Sequence, residues 1–147
     1  MSANKVILSE VMMPLQANAS GNINGGEIMK IMETAAYTAA KRYAGTNVVT
    51  ACVDELDFIR PILVGDDIMC KAEIVYTGRT SIIVMVEMNV QALEAELVTK
   101  AYFTMVALDE NHKPTSVPAL TPQSEADKAA YEAGKQYYES IKARRKK

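Results

Sequence analysis

Asn18-Ala19-Ser20-Gly21-Asn22-Ile23-Asn24-Gly25-Gly26 runs directly into a segment, Glu27 to Tyr43, in which Ile28, Ile31, Met32, Ala35, Ala36, Ala39 and Ala40 recur at helical spacing. Asparagine and glycine tolerate the tight and left-handed backbone of a turn, so the stretch reads as a polar loop feeding the one long helix of the body. Paired glycines at a helix start leave N–H groups facing outward, where they hold an anion or a developing oxyanion. The helix carries one acid in its middle, Glu33, which is expected to be buried. Its alanines allow another element to approach closely, and Tyr43-Ala44-Gly45 supplies a glycine stop.

On either side of this helix the pattern is that of strands. Val6 to Met13 reads as a first strand closed by Pro14. After Gly45 the period becomes that of a strand and stays so to about Leu108. Ile68, Cys70, Ala72, Ile74 and Tyr76 form one face of a strand, Ile82, Val84, Val86, Met88 and Val90 that of the next, and Ala101, Phe103, Met105 and Ala107 that of the last. Gly78-Arg79 and Ala92 to Ala95 fit hairpin connections, and Asp109 to Pro114 is a polar turn. One helix and a five-stranded antiparallel sheet give an α+β arrangement in which a curved sheet wraps the helix. A single helix cannot cover such a sheet with its edges exposed, so edge-to-edge pairing in a dimer is expected. From Ser124 the chain turns helical again, with Ala126, Ala129, Ala130, Ala133, Tyr137 and Ile141 on one side and a basic end, Lys142 to Lys147, read as a solvated terminus complementing the helix dipole.

Composition narrows the function. With 147 residues, of which 49% are hydrophobic, the chain fits one globular domain burying roughly 68–70% of its unfolded surface. The N-terminal apolar run is too short for a signal peptide or a membrane span, which implies a soluble, cytoplasmic protein without a membrane partner. Net charge of −2 gives no attraction to nucleic acid, and the basic end lacks interleaved aromatics beyond Tyr137 and Tyr138. Cys52 and Cys70 read as small core residues and are too few for a structural zinc site, so no metal is expected. The lone histidine, His112, falls in a polar turn, away from the helix.

Four stretches together resemble the hotdog-fold acyl-CoA thioesterases of the acyl-CoA hydrolase family. They are Met13-Pro14 with Asn18 and Gly21 through Gly25-Gly26; Met32-Glu33; Val48-Val49-Thr50 leading to Asp57 through Ile62 and Val64-Gly65-Asp66; and Thr77 through Ser81. The resemblance implies a hotdog domain over residues 1–123 with a helical basic tail over 124–147. It implies that Asn18 and, fifteen residues later, Glu33 come from opposite subunits and face each other, that Thr50 places a hydroxyl near the acid, and that Gly25 and Gly26 direct backbone N–H groups at the thioester carbonyl. It also places Arg60, Arg79 and Ser81 against the coenzyme A portion, and implies a homodimer assembled three times into a hexamer. Coenzyme A enters as part of the substrate, with no separate cofactor. The family's acid is usually aspartate; here it is glutamate, one methylene longer.

Thioester hydrolysis needs a carbonyl polariser and a group that activates water or attacks directly. A desolvated carboxyl is pushed toward neutrality, where a general base works best, so Glu33 is the candidate base, or the nucleophile in an anhydride variant. Other readings stand beside these: Glu33 paired with Lys30 or Lys41, Asn22 and Asn24 as ordinary turn residues, Thr50 as a β-former, Gly25-Gly26 serving close packing, and Arg79 solvated. The expectation is an acyl-CoA thioesterase; the alternative is a non-catalytic acyl-CoA-binding or sensing module on the same scaffold.

Overall fold

The computed structural model describes residues 4–91 and 96–145. Its five strands are β1 (Lys5–Val11), β2 (Asn47–Phe58), β3 (Asp67–Thr77), β4 (Ser81–Val90) and β5 (Glu96–Leu108), with helices α1 (Gly25–Ala44) and α2 (Glu125–Arg145). The strands form one antiparallel sheet in the order β1-β3-β4-β5-β2, leaving β1 and β2 at the edges. The expected connection at Ala92 to Ala95 and the last two lysines lie outside the described residues.

The apolar stripe of α1 is sealed against the sheet as its spacing requires. Ala35, Ala36, Ala39 and Ala40 are at most 1% exposed, among Ile68, Cys70, Ala72, Val84, Val86, Ala101 and Phe103. The helix begins two residues earlier than its apolar period, at Gly25 with Asn24 as N-cap, and stops where Gly45 turns left-handed at φ 73°, its N–H donating to Lys41 O at 2.9 Å. The first strand is shorter than the reading Val6 to Met13. It ends at Val11, because Met13 is already the cap of a short 3-10 turn, Pro14–Gln16, and donates its N–H to Gln16 Oε1 at 2.8 Å.

Two bulges in β2, between Thr50 and Cys52 and between Asp54 and Asp57, break strict alternation. The first re-aims the strand. Thr50 faces the α1 side, its Oγ1 donating to Met105 Sδ at 3.4 Å, whereas Cys52 and Asp54 face the other side of the sheet. That other side is covered by α2, around Val75, Ile83, Tyr137 and Ile141. The face of α2 that packs is not the alanine stripe expected. Ala126, Ala129 and Ala133 are exposed, and the seated residues are Gly134, Tyr137 and Ile141, with Ala130 and Tyr138 half-buried. Aromatic packing and a close approach select that face: Tyr137 stacks on Tyr102 at 4.4 Å, and a Cβ at Gly134 would stand 2.9 Å from Val75 Cγ2.

Nor is the basic end wholly solvated. Arg144 Nη2 and Tyr137 OH each donate to Asp54 Oδ2 at 2.9 Å, and Cys52 Sγ donates to the same oxygen at 3.2 Å, tying α2 to β2. Burial pushes the Asp54 carboxyl up, but hydrogen bonds from Cys52, Tyr137 and Arg144 and the charge of Arg144 more than offset it and hold Asp54 below its ordinary 3.8. Cys70, by contrast, is buried in the core, which pushes its thiol up to about 12.

Two outcomes are expected. Gly134→Ala should overpack the α2 seat and cost about 1–3 kcal/mol in thermal or denaturant unfolding. A depressed carboxylate stabilises above its unfolded value, so the contribution of Asp54 should be complete above that value and vanish as pH falls through the lower folded value. Near-ultraviolet circular dichroism of wild type against Asp54→Ala should show the two converging at acid pH.

Candidate active site

The loop at 18–24 is built around the side chain of Asn18. Its Oδ1 accepts the N–H groups of Ser20 at 2.9 Å and Asn22 at 3.2 Å, while its backbone N–H donates to Asn22 O at 2.8 Å. Gly21 sits at φ 85°, a conformation that other L-residues rarely adopt. With both acceptor positions of the amide oxygen used by the loop, the Nδ2 group of this exposed residue takes no part in those bonds. Asn22 and Asn24 act as backbone residues of the turn.

The first turn of α1 follows at once. Glu27 N and Ile28 N both donate to Asn24 O, at 3.0 and 3.2 Å, so within the described residues the N–H groups of Gly25 and Gly26 have no helical acceptor. Packing within the chain does not account for the glycines. A Cβ at Gly26 would meet nothing within 4 Å, and one at Gly25 would make only ordinary contact with Phe58 at 3.9 Å. Beside Gly25 lies an open hollow of about 130 Å³ lined by Ile23, Ile28, Phe58, Arg60 and Ile62.

Glu33 is not buried by its own chain, contrary to expectation. It lies on the exposed side of α1, because the buried stripe consists of the residues flanking it, Ile31, Met32, Ala35 and Ala36. Among the described residues no cation pairs with it; Lys41 instead lies 3.4 Å from Tyr37 OH. The reversal at Gly45 sends β2 back along α1, where Tyr37 OH donates to Asn47 Oδ1 at 3.3 Å. Three strand residues beyond Asn47 and four helix residues before Tyr37 lead to Thr50 and Glu33.

The residues expected on the ligand's far portion divide. Arg60 is drawn toward its own chain: Nε donates to Pro61 O at 3.2 Å and Nη2 lies 3.7 Å from Asp66 Oδ2. Arg79 is exposed and Ser81 half-buried on the turn joining β3 to β4, where Gly78 N donates to Ser81 O at 2.9 Å. That turn lies at the opposite end of β3 from the loop around Asp66, roughly 30 Å along the strand. Asp66 received no role from the sequence, although its Val-Gly-Asp setting after Pro61 marks a turn. His112 is exposed in its polar turn, and no cluster able to hold a metal ion occurs among the described residues. No helix among them is long and apolar enough to cross a membrane.

The thioesterase superfamily model matches residues 20–92. An uncharacterized acyl-CoA thioester hydrolase of Haemophilus influenzae is 37% identical over 134 residues, covering 87% of this chain and 86% of that protein. This chain belongs to the acyl-CoA thioester hydrolase family. Its structural relatives include an acyl-CoA hydrolase from Staphylococcus aureus, solved with butyryl coenzyme A, coenzyme A and coenzyme A disulfide, at a TM-score of 0.89 and 33% identity over 96% of this chain and 88% of that one. Variants of that hydrolase with an aspartate, an asparagine or a threonine replaced by alanine have also been solved. A hexameric thioesterase from Yersinia pestis aligns at a TM-score of 0.71 and 36% identity, over 77% of this chain and 94% of that one. Family and fold thus agree with the sequence reading, a hotdog sheet around a long helix.

The loop geometry separates two functions of Asn18. Asn18→Asp keeps the Oδ1 acceptor and should unfold within about 0.5 kcal/mol of wild type, whereas Asn18→Ala should lose about 1 kcal/mol, both read from denaturant midpoints.

Proposed function

We propose that this chain hydrolyses acyl-CoA to a free carboxylic acid and coenzyme A at sites shared between two copies. The observation that carries the reading is a set of donors left over at the start of α1: Asn18 Nδ2 and the N–H groups of Gly25 and Gly26. Glycine in a helix costs about 1 kcal/mol relative to alanine, and no atom of the chain itself requires it at Gly26. Close approach of a ligand gives the residue a purpose.

Glu33 stands eight residues along α1 from Gly25, about 12 Å along the axis. The acid and the helix-start donors of one chain therefore serve different carbonyls, and each site takes Glu33 from the copy opposite. Pairing through the free edge of β2 accounts for this, with Val49 43% exposed along that edge, and burial of Glu33 then comes from the partner. The spacing in the Staphylococcus aureus hydrolase supports the assignment: its substituted aspartate stands fifteen residues after the asparagine and its threonine seventeen after the aspartate. Asn18, Glu33 and Thr50 repeat both intervals.

In the reaction, Glu33 takes a proton from water as the water oxygen bonds to the carbonyl carbon. The oxyanion gathers on the Gly25 and Gly26 N–H groups and the Asn18 amide. Collapse breaks the C–S bond, and the proton passes from Glu33 to the departing sulfur. Thr50 holds the carboxylate or the water, and Arg79 and Ser81 reach the coenzyme A portion from a further copy, in a hexamer of three dimers. Arg60, turned toward Asp66, borders the hollow beside Gly25. The reaction draws on no metal or separate cofactor, and the protein works in the cytoplasm.

Thiol release from short, medium and long acyl-CoAs tests the proposal. Glu33→Gln should lower turnover on the order of 10²–10⁴-fold with calorimetric acyl-CoA binding retained. Gly26→Ala should gain up to about 1 kcal/mol of stability while losing activity, a combination that a purely structural glycine would not show. The glutamate in place of aspartate favours one second reading, an acyl-CoA sensor; tight binding with no release from any substrate would assign that function instead.

A further inference from the structure

The loop that carries Asn18 joins α1 through its N-cap, Asn24, but its turn at 21–23 lies away from the helix. It is stitched to a second loop, at 61–66. Ile23 N donates to Ile62 O at 2.7 Å, Val64 N to Gly21 O at 3.3 Å, and Asn22 forms a bridge with Leu63. The second loop is tied in turn to the segment entering the first, with Gly65 N donating to Met12 O at 2.8 Å and Met12 N to Asp66 O at 2.9 Å. Gly65 lies at φ 90°.

One side chain closes this second loop on itself. Asp66 Oδ2 accepts the Leu63 N–H at 2.8 Å and faces Arg60 Nη2 at 3.7 Å, while Asp66 N donates to Leu63 O at 3.0 Å. Both members of the ion pair are largely withdrawn from water, with side chains 18% and 19% exposed. Asp66 thus fixes Leu63, the residue bridged to Asn22, whose N–H in turn holds the oxygen of the Asn18 amide.

We infer that Asp66 is a positioning residue: by locking the 61–66 loop it sets the direction in which Asn18 presents its Nδ2 donor, and Arg60 serves it as counter-ion. The inference rests on the hydrolytic reading of Asn18. Asp66 is assigned its effect through Asn18 and not through the substrate. It bears on the chemical step because a misplacement of about 1 Å at a reacting group costs on the order of a hundredfold in rate.

The test is a double-mutant cycle combined with amide exchange. Asp66→Ala should lower kcat by about 10- to 100-fold with KM changed by less than about twofold. Asp66→Asn, which keeps an acceptor for Leu63 N–H, should recover part of that loss. In an Asn18→Ala background Asp66→Ala should change kcat by less than about twofold, since the residue it positions is gone. Hydrogen exchange should rise at Gly21, Asn22 and Ile23 in Asp66→Ala and stay unchanged in the middle of α1. An equal fall in kcat with and without Asn18, or unaltered exchange in the 18–24 loop, would overturn the inference. The exchange readout needs no turnover. An Asn18→Ala enzyme with wild-type kcat would instead overturn the hydrolytic role of Asn18, and the inference with it, whatever the exchange shows.

Discussion

Four alanines of α1, Ala35, Ala36, Ala39 and Ala40, are pressed into the hollow side of the sheet with almost no exposed surface. Side chains this short bring the helix axis close to the strands, and that distance is the constraint from which the rest of the molecule follows. It determines which side of α1 is turned outward, and Glu33 and Tyr37 are on that side. It also requires the chain to reverse sharply at Gly45, so that β2 returns along α1 and becomes a free edge of the sheet beside the exposed acid.

The two sides of the sheet are finished by different physics. The α1 side is an apolar core of aliphatic residues and small side chains. The α2 side relies on fewer, more specific contacts: the Tyr102–Tyr137 stack, the close seat of Gly134, and one carboxylate oxygen of Asp54 that receives three donors. Tyr76 adds tilted contacts with Tyr131 and Tyr138 at 5.1 and 5.3 Å. A carboxylate that collects several donors and one cation is a directional anchor, and its removal would leave Tyr137 and Cys52 without their acceptor.

At the candidate site the backbone supplies most of the order. The Asn18 oxygen is spent on the loop, and the neighbouring 61–66 loop is closed by Asp66. Catalytic donors on a loop work only when such support fixes them, because a donor that swings pays its reorganisation at the moment of reaction. Gly25 and Glu33 of one chain stand about 12 Å apart along α1, which is why the proposed site draws on a second copy.

Much was legible in the amino-acid sequence, because it depends on local periodicity and on backbone freedom. The helical stripe from Ile28 to Ala40, the stop at Gly45, the alternation of β3, β4 and β5 and the polar loop at Asn18 all follow from residue type and spacing. Family membership, too, rested on motifs that lie along the chain. Tertiary structure alone decided the rest. The bulge after Thr50 sends Thr50 and Cys52 to opposite sides of the sheet, which a strict period of two cannot foretell. The buried face of α2 is chosen by the fit of Gly134 and Tyr137 to β3 and β5 over an equally periodic alanine stripe. Arg60 turns to Asp66, and Arg144 reaches Asp54 across ninety residues of chain. Glu33 sits on an apolar helix yet stands in the open, because burial depends on what packs from outside and not on the neighbours that a residue has in sequence.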